Sequence, residues 1–101
     1  MQHTAAALDV QLDLTTVEAA ARRWATRARA LVNRAACDDQ EAALAVTARQ
    51  FDSAATFLDR GDITKAREAL YAARSYAASE EAMNDRLAKA ASTLLEALGD
   101  A

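Results

Sequence analysis

The chain has 101 residues, no proline, two glycines, one cysteine and a net charge of −3. That length suits one domain, and the scarcity of turn-forming Gly and Pro excludes a sheet protein with many short strands. Charges interrupt every apolar stretch, which argues against a membrane span, and one cysteine cannot close an internal disulfide, which fits a cytoplasmic protein.

Residues 8–14 come first in chain order. Leu8, Val10, Leu12 and Leu14 alternate with polar residues, a strand-like period of two. Three readings are open: a strand that pairs with another chain, an extended arm, or helix, since Leu8 and Leu12 are also four apart. The division that follows is an N-terminal arm over 1–15 and a helical bundle over 16–101. No basic segment followed by an apolar run opens the sequence, so a secretory leader is not expected.

The spacing predicts a first helix from near Thr16 to about Cys37. Thr15 and Glu18 have the spacing of a capping box. Val17, Ala20, Trp24, Ala28, Leu31 and Ala35 form its apolar stripe. Arg22 and Arg29 lie in one row on the other side, and Arg23, Arg27 and Arg34 in another. A second capping-box spacing, Asp38 and Glu41, predicts a helix over about 39–60, with Leu44, Ala48, Phe51, Ala55 and Leu58 at seam spacing. Gly61 ends it and Asp62 caps the next.

From Ile63 to Leu98 one heptad register runs without a slip through Ala66, Leu70, Ala73, Ala77, Glu80, Asn84, Leu87, Ala91 and Leu94. A single helix of that length would span about 54 Å at ~1.5 Å per residue. Ser79 before Glu80 and Glu81 favours a break near 78–80, with Ser79 as cap. The expected fold is therefore all-α: an antiparallel bundle of three to four helices with an N-terminal extended arm or short strand. Twenty-nine residues are Ala. Alanine has the best helix propensity but buries little area, so a few large side chains must anchor the core, Trp24 among them.

The arginines are the most distinctive candidate site. Residues 17–37 carry +4 in an otherwise acidic chain, so Arg22, Arg23, Arg27, Arg29 and Arg34 form a basic face suited to an acidic protein partner. Nucleic acid is the alternative, against which the pI near 5.0 counts. Tyr71 and Tyr76 lie off the heptad seam and are candidate contact residues or cover for the core edge. Glu80 and Asn84 are either a polar pair that fixes register in an interface or a helix boundary.

No cofactor or metal is expected. His3 and Cys37 are single and far apart, whereas zinc needs several such ligands. No Glu-x-x-His motif or glycine-rich phosphate loop is present. A non-enzymatic interaction module is the leading expectation. Alanine and arginine usage fits a GC-rich bacterium or its phage, in which such a domain would serve as an adaptor, a regulator or an inhibitor of a host defence complex. A self-associating structural subunit is a further alternative, and a homo-oligomer is expected because the internal core is thin.

Residues 54–73 also resemble the helical hairpin of a tetratricopeptide repeat. Ala54, Phe57, Gly61, Ala66, Leu70 and Ala73 match that family's small and large positions, with Ala78 where the closing proline would stand. One copy spans about a fifth of the chain, and such repeats need stacked neighbours. The resemblance implies a helical protein-binding surface without assigning the family.

Overall fold

A computed structural model describes the backbone of residues 2–99 and the side chains of residues 14–99. Four helices follow one another: α1 Gln2–Val32, α2 Asp38–Asp59, α3 Ile63–Ala78 and α4 Asp85–Ala97. Each packs on the next in sequence, and α4 returns to make a smaller contact with α1. The long axis measures 54 Å against 21 and 18 Å across.

The first helix starts earlier than the sequence predicts. An extended arm or strand is not shown for residues 8–14, whose backbone belongs to α1, and no strand occurs among the described residues. Alanines 5–7 and the four-residue spacing of Leu8 and Leu12 satisfy a helix as well as the alternation satisfies a strand. An isolated strand would also leave its backbone groups unpaired. The side chains of residues 8–13 lie outside the described residues. Because α1 starts at Gln2, Thr15 and Glu18 are not a capping box. Leu14, Thr15 and Glu18 lie beside Leu58, Asp59, Arg60 and Gly61 at the α2–α3 turn.

Local chemistry sets the other boundaries. The N-cap of α2 is Cys37, in extended conformation and without a side-chain cap bond, rather than Asp38. Gln40 reaches back instead, its Oε1 accepting from the Ala36 N–H at 2.6 Å. Asp38, Asp39 and Glu41 occupy the first turn, where the helix dipole favours carboxylates. Gly61 ends α2 at φ 76, and the Asp62 N–H donates to the Phe57 carbonyl at 2.8 Å, the geometry of a left-handed helix stop. Asp62 then caps α3 by accepting from the Lys65 N–H at 3.1 Å.

The heptad register from 63 to 98 is broken, as Ser79 suggested, but Ser79 is not the cap of the next helix. Its Oγ donates to the Tyr76 carbonyl at 2.6 Å, closing α3. Asn84 caps α4, its Oδ1 accepting from the Leu87 N–H at 3.0 Å. Met83 takes the left-handed conformation between them, at φ 45.

The core is built from alanine. Of 23 buried apolar residues among those described, 14 are Ala, so Phe51 and seven leucines supply most of the buried area. The α2 seam is buried as predicted: Leu44, Ala48, Phe51, Ala55 and Leu58. In α1 the buried line is Val17, Ala21, Ala25 and Ala28, with Ala20, Trp24 and Leu31 only partly covered. The inward face is rotated from the predicted stripe toward the smallest side chains, because alanines let α2 approach closely. Trp24 is thereby an edge residue rather than a core anchor. Thr47 is fully buried and satisfied within its own helix, donating to the Ala43 carbonyl at 2.8 Å.

Candidate functional site

All five arginines of the basic segment are exposed, but they do not form one surface. Arg22 pairs with Glu18 at 3.3 Å, one helical turn back. Arg29 forms an ion pair with Asp52 of α2. This row is therefore engaged along the α1–α2 side. Of the second row, Arg27 stands beside the start of α4. Arg23 and Arg34 make no ion pair among the described residues, and the Arg27 guanidinium lies 4.8 Å from the centre of the Trp24 ring. That contact is a cation–π stack, which holds the guanidinium along the helix surface.

Between this row and the start of α4 lies a groove of about 510 Å³, lined by Trp24, Arg27, Ala30 and Leu31 of α1 and by Asn84, Arg86 and Leu87. Its floor is apolar, since Trp24 and Leu31 are only partly covered by the bundle and Leu87 is buried beneath them. Its rim carries the guanidiniums of Arg27 and Arg86. The Asn84 cap fixes the first turn of α4 and so sets where Leu87 and Arg86 stand against α1.

The other candidates fall elsewhere. Tyr71 is 38% exposed with Arg74 over its ring at 4.8 Å, and Tyr76 is 45% exposed. Five residues apart on one helix, they differ in direction by about 140° and share no face. Tyr76 stands in a shallow depression with Asp39, Val46, Ser79 and Glu81, a surface of opposite charge to the arginine rows. Glu80 is exposed in the α3–α4 turn, and Asn84 is the α4 cap. The geometry gives these two the role of a helix boundary. Cys37 is free and exposed, and no group of three or more metal-ligating side chains occurs among the described residues. His3 has no described side chain.

No known family, curated protein or solved structure matches the chain. No helix among the described residues is long and apolar enough to cross a membrane.

Sequence reasoning missed Arg86 and Leu87 as members of the site. Their signal was present: a four-helix up-down chain returns its last helix to its first, and the first turn of α4 then falls beside the end of α1. Partly buried Trp24 was open to two readings in the sequence, a core anchor or a binding contact. Its place in an apolar stripe cannot be told from a core position until the rotation of α1 is known.

Proposed function

We propose that the chain is a non-enzymatic protein-interaction module that binds an acidic partner along α1 and the start of α4. The observation that carries this reading is the groove with an apolar floor of Trp24, Leu31 and Leu87 and a rim of Arg27 and Arg86. Tryptophan and arginine are the residue types most enriched among binding hot spots. A guanidinium takes a carboxylate through two parallel hydrogen bonds, and the groove between the two arginines accommodates an apolar side chain. The partner chemistry that fits is a segment with one or two large apolar residues flanked by Asp or Glu. A regulator, adaptor or inhibitor that works by covering a surface needs nothing more.

The test starts with affinity capture from the native cell, using the wild-type chain and an Arg27→Glu/Arg86→Glu variant. The captured partner is then purified and titrated while emission from Trp24, the sole tryptophan, is followed. A saturable emission change that the double variant lacks is the expected outcome. A partner held equally by both forms overturns the assignment of the surface. A nucleic-acid reading has less support. Arg22 and Arg29 are already paired with acids, which leaves a short basic row on a chain of net charge −3. Salt-sensitive DNA or RNA affinity lost on reversing Arg23, Arg27 and Arg34 would reinstate it.

A further inference from the structure

The α3–α4 turn presents a large apolar side chain to solvent. Met83 is 76% exposed, against 38% for Tyr71 and 45% for Tyr76. It is also held at φ 45, a left-handed conformation that side chains disfavour. The α2–α3 turn meets a similar need with Gly61, at φ 76, where no side chain is strained. Hydrogen bonds hold the methionine in place. Its N–H donates to the Ser79 carbonyl at 2.7 Å, the Asn84 N–H to the Ala77 carbonyl at 2.8 Å, and the Ala82 N–H to Ser79 Oγ at 3.3 Å. Strain kept at an exposed apolar residue on a fixed turn points to a use for that side chain.

Acids flank it on both sides. Glu80 and Glu81 precede Met83 and Asp85 follows, all three exposed and none in an ion pair among the described residues. An apolar side chain between carboxylates is the ligand chemistry that fits the groove of Trp24, Leu31 and Leu87. Arg27 and Arg86 on its rim likewise make no ion pair among the described residues. Methionine suits such a floor, because it is unbranched and its sulfur favours the edge of an aromatic ring. Arg27 lies over the face of the Trp24 ring. Turn and groove also adjoin, since Asn84, which lines the groove, follows Met83 directly. The chain does not fill its own groove, for Met83 stands exposed.

We propose that two copies of this chain dimerise by exchanging their α3–α4 turns. Met83 of each copy enters the other's groove between Arg27 and Arg86, and the carboxylates beside it meet those guanidiniums. Because turn and groove lie side by side, at the start of α4, both exchanges are made at once about a two-fold axis. The contact therefore closes at two copies, as an isologous interface does. It involves one apolar side chain and a few charges from each copy, so the dimer is weak and salt-sensitive. The inference rests on the reading of the groove as a site for an apolar residue flanked by acids, and it names that segment as the turn of a second copy. An outside partner of the same chemistry then competes with the second copy, which makes dimerisation and partner binding mutually exclusive.

The test is sedimentation of the full chain over roughly 1 µM to 1 mM, the concentration range of weak association. The wild-type mass is expected to rise from monomer to dimer, less so at high salt, with a matching change in Trp24 emission. Met83→Gly relieves the backbone strain and stays folded, yet should associate at least about tenfold more weakly. Two charge reversals follow, Glu80→Arg/Glu81→Arg and Arg27→Glu/Arg86→Glu. Each alone should be similarly weakened, since turn and groove then carry like charges. Mixed in equal amounts, the two should form a heterodimer, because each turn again meets a groove of opposite charge. A merely structural role for these residues would not produce that rescue. Circular dichroism checks that each variant keeps its helicity. In case a reversal unfolds, Met83→Cys and Ala30→Cys are placed in separate Cys37→Ser chains, mixed and oxidised. A disulfide between the two chains is expected, with none between Met83→Cys and Thr64→Cys, which lies in the first turn of α3. A wild-type chain that stays monomeric, variants that dimerise unchanged, a mixture that stays monomeric, or the wrong cross-link each overturns the proposal. The groove reading fails separately, when a captured partner is held equally by the wild type and Arg27→Glu/Arg86→Glu; Met83→Gly should hold that partner at least as tightly as the wild type, since its own turn no longer competes.

Discussion

Replacing Trp24 and Phe51 in turn by alanine separates an edge residue from a core anchor. Phe51 is 0% exposed, in a core whose other members are mostly alanine. Alanine has no rotamers with which to fill a vacated space, so the cavity persists. Phe51→Ala should then fall in the upper part of the usual range for such truncations, about 4 kcal/mol. That is a large share of the roughly 5–15 kcal/mol available to a domain of this size. At about 4–8 °C per kcal/mol, the melting temperature should drop by roughly 16–32 °C. Trp24 is the larger side chain, but one side of it faces the groove and Arg27. With about two thirds of its roughly 200 Å² covered, the loss is about 3 kcal/mol at ~25 cal/mol per Å². The assay is urea and thermal unfolding followed by circular dichroism, since Trp24→Ala removes the fluorescent probe. Equal losses for the two variants would refute the placement of Trp24 at the edge, and the groove with it. A loss under about 2 kcal/mol for Phe51→Ala would mean that the core collapses around the deletion, contrary to the argument from alanine.

Two further outcomes concern helix boundaries. Asn84→Ala removes the cap of α4 and should cost about 1 kcal/mol, while Asn84→Asp, which keeps an accepting oxygen, should be nearly neutral; thermal unfolding of the pair distinguishes a cap from any other role. The left-handed positions Gly61 and Met83 should respond in opposite directions in urea titrations. Gly61→Ala should destabilise by roughly 1 kcal/mol although nothing lies within 4 Å of the added carbon, and Met83→Gly should stabilise by a similar amount, about 1 kcal/mol less the entropy that glycine adds to the unfolded chain.

Much of the fold was legible because its signals are local. The α2 seam follows from spacing alone, since four-three repeats of large and small apolar residues have no other use than helix packing. Gly61 and Asp62 mark the α2–α3 turn through backbone conformation and capping, both of which act within a few residues. The break after Ala78 was legible from Ser79 and the acids behind it, although the cap proved to be Asn84. The open readings at the start of α1 share one cause. Residues 8–14 satisfy two periods, and Thr15 with Glu18 offers a cap that is used only if the helix has not already begun.

By itself, the sequence determined that the chain is helical, where α2 lies and where α3 begins, and that arginines concentrate on α1. Those are properties of propensity, period and composition, which each segment carries alone. Tertiary structure decided which side of α1 faces inward, because the difference between Ala20–Trp24 and Ala21–Ala25 as the buried line is a matter of how closely α2 can approach. That rotation placed Trp24 at an edge, divided the arginines into a row paired with acids and a row whose Arg27 borders α4, and brought Arg86 and Leu87 to complete a groove. No single segment contains that information, since it arises only when two helices distant in sequence are packed together.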